Sequence, residues 1–197
     1  MTLSHRIRAL ALLTLQNPRQ AARVLLAEDV PIPARTAGLL LVAVVSALLA
    51  SLQVGSDPQA LDPFSAFMLA SPFRAAIMQW LFMALSVVLI HRVGRAFGGR
   101  GSFPDAMLVV VWLQLLMLAL QVLQLVATVL APPLAGGIGM VGLGVFLWLM
   151  TTFIAELHGF ASRGLVFLGI VLTAIGTGFV LGIILIVILG PETFANV

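Results

Sequence analysis

Residues Leu165 to Leu189 read LVFLGIVLTAIGTGFVLGIILIVIL, 25 positions without one charged side chain. A bilayer core about 30 Å thick is crossed by roughly 20 apolar residues in a helix. This stretch is therefore read as a membrane span, closed by Gly190 and Pro191. Four more stretches meet the same criterion, about Thr36 to Val54, Phe73 to Val93, Asp105 to Leu130 and Ile138 to Glu156. The third is long enough to tilt. A turn, Ala131-Pro132-Pro133-Leu134-Ala135-Gly136-Gly137, is expected before the fourth. The predicted fold is all-α, a polytopic bundle of five transmembrane helices. It divides into an amphipathic segment over 1–34, a membrane domain over 35–190 and an outer tail over 191–197.

Composition agrees. Of 197 residues, 61% are hydrophobic and 9% charged, with a mean hydropathy of +1.18. Soluble domains are about 45–50% apolar and roughly 25% charged. A water-soluble fold of this composition could not coat its surface, so soluble enzymes and nucleic-acid-binding proteins are excluded. The absence of Cys removes disulfides, thiolate metal sites and thiol nucleophiles, and the absence of Lys removes Schiff-base chemistry.

All ten basic residues are Arg, and the formal net charge is +3. The all-Arg usage reads as the codon bias of a GC-rich bacterial genome. Arg6, Arg8, Arg19, Arg23 and Arg35 precede the first span, Arg92, Arg95 and Arg100 follow the second, and Arg163 follows the fourth. Only Arg74 falls on the other side, with Asp57, Asp62 and Glu192. Positive residues are retained in the cytoplasm, which orients the N-terminus inward and the C-terminus outward, into the periplasm.

Before the first span, Asn17 can cap a helix that Pro18 opens. Arg19, Gln20 and Arg23 share one side of it, and Ala21, Val24 and Leu25 lie away from them. Such a helix is expected in the headgroup layer, with Arg8, Arg19 and Arg23 toward anionic lipid. The competing reading, a signal peptide, has only the minimal apolar core Ala9 to Leu15.

Within the third span, Gln114, Gln121, Gln124 and Thr128 fall within about 80° of one another and form a polar stripe. No Asp, Glu, His or Arg lies mid-span, where ion and proton pathways usually carry one. The stripe is accordingly expected to bond helices together. A small channel or carrier along it is the alternative. In the last span Gly169, Thr173 and Thr177 share one side, and Ala174, Gly178 and Gly182 roughly the opposite side. Small-x-x-x-small faces let helices approach closely. One face is expected within the bundle, and the other either meets a partner or second copy or simply reflects how common Gly is in membrane helices.

Polar residues gather on the inner rim, in two groups. The first is His91 with Arg92, Arg95, Gly98, Gly99, Arg100, Gly101 and Ser102, and the second is Glu156, His158 and Arg163. Ser102 is expected to cap the third span, with Asp105 at its positive end. The glycine run lacks the Lys and preceding strand of a phosphate-binding loop. His91 and His158 could in principle serve a metal or cofactor, but three His in the chain make a poor ligand set. Glu156 and His158 are two apart and point to different helix faces, against a triad with Ser102. Glu156 is expected to pair with Arg92, Arg95, Arg100 or Arg163. No catalytic residue, metal or cofactor is assigned.

Gly98-Gly99-Arg100-Gly101-Ser102-Phe103 with Ala106, then Trp148 leading to Glu156-Leu157-His158-Gly159-Phe160, resemble the Yip1-domain family of five-span membrane proteins. The lead-in Asn17-Pro18-Arg19 is similar to bacterial members, and the resemblance covers about residues 10–190. It implies a membrane organiser or accessory subunit, binding lipid or partner membrane proteins, and no reaction. The Rab-type partners of eukaryotic members, which use a longer N-terminal region, are not carried over. Gly98, Gly99, Arg100, Gly101, Ser102, Glu156 and His158 are the expected contact loops.

Overall fold

The computed structural model describes residues 3–54 and 63–189 and contains eight helices among them, with no strand. Asp57, Asp62, Glu192 and the tail over 191–197 lie outside the described residues. Two short helices lead the chain, α1 (Leu3–Gln16) and α2 (Pro18–Leu26). Five helices are long and apolar enough to cross a membrane: α3 (Ile32–Val54), α5 (Pro72–Ala96), α6 (Phe103–Leu130), α7 (Pro132–His158) and α8 (Arg163–Leu189). The seven-residue α4 (Pro63–Leu69) stands between α3 and α5. The chain is a polytopic all-α membrane protein.

Caps fix where the helices start. The Asn17 side-chain oxygen accepts the Gln20 N–H at 3.2 Å ahead of Pro18. Ser71 Oγ accepts the Arg74 N–H ahead of Pro72, and Ser102 Oγ accepts the Asp105 N–H at 3.2 Å as expected. Each side chain satisfies a donor that a helix start leaves without a partner. Gly159 ends α7 in the left-handed region, φ 73°.

One connection differs from expectation. The turn predicted over Ala131 to Gly137 shrinks to the single residue Ala131, and α7 begins at Pro132. Pro132 and Pro133 fit a first helical turn, whose N–H groups have no helical acceptor anyway. Gly136 and Gly137 then continue the helix, their weak propensity overridden by the membrane's demand for bonded backbone.

α3 packs on both α5 and α6, and α6 packs on α7. The main core joins Leu39, Val42 and Ala43 of α3 to Met83 and Val87 of α5, residues 106–110 with Trp112 and Leu113 of α6, and Leu149, Phe153 and Leu157 of α7. These lie from the middle of the bundle to its Arg-rich end. α2 lies across α6 and α7 and adds Ala21, Ala22 and Leu25 to this core. Its apolar side therefore meets protein, not the headgroup layer, and Val24 is left exposed. Thr14 of α1, fully buried, accepts the Trp112 Nε1–H at 3.1 Å, tying the lead helices to α6. α8 makes its main contact with α7, and Val166 is its only buried side chain among the described residues.

Candidate functional site

The loops after α5 and α7 converge on His158, which is 2% exposed. Its Nδ1 accepts the Gly101 N–H at 3.2 Å, and Nε2 lies 3.1 Å from the Ile90 carbonyl of α5. An accepting Nδ1 leaves the proton on Nε2, so this geometry holds the neutral imidazole. The His158 carbonyl accepts the Arg100 N–H at 3.2 Å, and the ring stacks on Phe160 at 5.5 Å between centroids.

Three glycines make room for that ring. A Cβ placed on Gly94, Gly99 or Gly101 would stand closer than 3.0 Å to the His158 side chain. Gly98 turns the chain through φ 83°, a conformation that favours glycine. The glycine run is thus a cradle for an imidazole of the chain itself, which gives Gly98, Gly99 and Gly101 a structural account. His91 is a separate group: its ring packs edge-on against Phe103 at 5.7 Å, and its buried Nδ1 has no hydrogen-bond partner. Both ring nitrogens of His158 are engaged by backbone, so metal ligation there would break two bonds of the fold. Among the described residues no three His, Cys, Asp or Glu gather as ligands would.

Glu156 is paired, but not with a rim-loop Arg. Its carboxylate accepts from Arg23 Nε at 2.9 Å and stands 3.6 Å from Arg19 Nε. The loop arginines lose to α2 because that helix crosses α7 and presents both guanidinium groups to Glu156. Arg19 and Arg23, expected toward lipid, thus each have a protein partner, and no ion pair engages Arg8 among the described residues. Arg35, which is buried, pairs with Asp105 at 3.0 Å, joining α3 to α6, and donates to the Val30 carbonyl at 2.8 Å. Sequence reasoning missed this pair and the Trp112–Thr14 bond. Arg35 one turn into an apolar helix was the available signal, since a charge at that depth needs a partner.

The glutamine stripe is shared between two surroundings. Gln121 donates to the Ser46 carbonyl of α3 at 3.1 Å and Gln124 to the Ala135 carbonyl of α7 at 3.3 Å. Gln114 makes no hydrogen bond among the described residues and faces a cavity instead. On α8, where one small-residue face was expected inside the bundle, Gly169 and Thr173 line an apolar groove of about 640 Å³ between α5, α7 and α8. A Cβ on Gly169, Gly176, Gly178 or Gly182 would meet nothing within 4 Å.

Comparison with curated proteins and with solved structures gives no match. The Yip1 domain model, however, matches residues 12–187, from α1 through nearly all of α8. That match takes in the end of α1, all of α2, the five spans and both loops around His158, and by it the chain belongs to the Yip1 family.

Proposed function

We propose that this Yip1-family protein is a non-enzymatic organiser or accessory subunit of the bacterial inner membrane, binding lipid and a partner membrane protein through α8. Its N-terminus faces the cytoplasm and its C-terminus the periplasm, the orientation that the Arg distribution favours. The observation that carries this reading is the state of α8. A 27-residue apolar helix rests mainly on α7, with its small-residue sides uncovered and a groove open beside it. Lipid can cover such a surface, but small residues in rows serve close helix–helix approach. The reading is supported too by Arg92, Arg95, Arg100 and Arg163, none of which has a carboxylate partner among the described residues. They form a basic rim suited to anionic headgroups.

Native mass spectrometry from mild detergent tests the proposal. The expected spectrum contains retained anionic phospholipid and a species carrying a second membrane protein or a second copy. A spectrum holding only the lipid-free monomer contradicts it.

A further inference from the structure

At the end away from the Arg-rich rim, α3, α5 and α6 line a half-open cavity of about 360 Å³, with α4 at its edge. Gln79, Gln114, Gln121 and Ser46 contribute its polar atoms, and Met78, Met117 and Phe82 are among its apolar walls. Gln79 and Gln114 have no hydrogen-bond partner among the described residues, and Gln121 spends one N–H on Ser46. A carboxamide in the hydrocarbon layer cannot stay unbonded without heavy cost. Water or a solute must therefore meet these amides. Gln114 lies eleven residues from Phe103, about 16 Å into the bilayer at 1.5 Å per residue, so the cavity reaches the midplane.

Below it the bundle is closed. Val42 and Ala43, Met83 and Val87, and Val109 and Leu113 are each at most 2% exposed and belong to one packed core. The space is a blind pocket, not a conduit. No charged side chain lines it among the described residues, so nothing there would compensate a desolvated ion. Carboxamides offer paired donors and acceptors, which match ligands that carry both. We propose that this pocket is a binding site for a small uncharged solute of the amide, ureide or hydroxyl class, entering from the end opposite the Arg-rich rim. The site is separate from the α8 surface and stands or falls independently of it.

The chain has no Cys, so single cysteines report without background. Ala50→Cys and Met117→Cys place a thiol in the pocket wall. Ala43→Cys, on the same helix as Ala50 but 1% exposed in the packed core, is the control. The reagent is hydroxyethyl methanethiosulfonate, which needs the hydrated thiolate. Both wall positions are expected to react at least about tenfold faster than Ala43→Cys, because only a wet thiol ionises. Urea and acetamide should slow the wall reactions, and their charged counterparts guanidinium and acetate should not. Gln114→Leu added to Ala50→Cys should leave the thiol reactive and abolish the protection by urea. Wall reactivity no higher than at Ala43→Cys would overturn the inference. So would protection that is absent, or equal for the charged compounds.

Discussion

Glycine does opposite things at the two sides of this molecule. Around His158, three glycines stand where any side chain would run into the imidazole. Along α8, Gly169, Gly176, Gly178 and Gly182 stand where a side chain would meet nothing. The first set is explained by the chain's own packing. The second has no such account within the described residues, and the proposed function assigns that surface to a contact outside the chain. The same residue type thus marks a packed interior on one side and an uncovered helix surface on the other.

The largest expected effect is at the finished side. Gly99→Ala forces a methyl onto His158 and the Gly94 carbonyl, and overpacking of this kind costs about 1–3 kcal/mol. The unfolding midpoint in detergent should fall by several degrees; an unchanged midpoint would break the cradle account. His158→Leu comes next. It leaves the buried Gly101 N–H without an acceptor, a loss of about 1–3 kcal/mol. Hydrogen exchange should then quicken in both loops, at Gly98–Gly101 and around Gly159, and not in α8.

A smaller effect is expected at Glu156→Gln, which removes the ion pairs to Arg19 and Arg23. Both arginines are well exposed, so the cost should stay at or below about 1 kcal/mol. Exchange should rise in α2 over Pro18–Leu26 while the glycine loop stays protected. Faster exchange at Gly98–Gly101 would mean that Glu156 holds the rim loops after all. The smallest effect is at Gly178→Ala, where helix propensity should leave the isolated protein as stable or up to about 1 kcal/mol more so.

The spans were legible because hydrophobic length is a local property, and the Ser102 cap because its partners lie within one turn. Glu156 shows where legibility ends. Its need for an Arg could be read from its place at a helix end, but Arg23 lies 133 positions away and wins only because α2 crosses α7. His158 teaches the same lesson. Its glycine partners were visible as a run in the sequence, yet their ligand turned out to be a ring 57 positions from Gly101. The α7 boundary was missed for a local reason, the double proline read as a turn when it opens a helix. Along α6 the stripe of amides was clear, but that Gln114 would face a cavity while Gln121 bonds α3 depends on how α3, α5 and α6 splay apart.

The contrast between a finished interior and an open α8 is tested most directly by photo-crosslinking in native membranes. A photoreactive residue at position 178 is compared with one at position 109, where Val109 is fully buried. The account predicts adducts heavier than the monomer from position 178 and none from position 109. Monomer alone from position 178, with the protein at its native level, would contradict it.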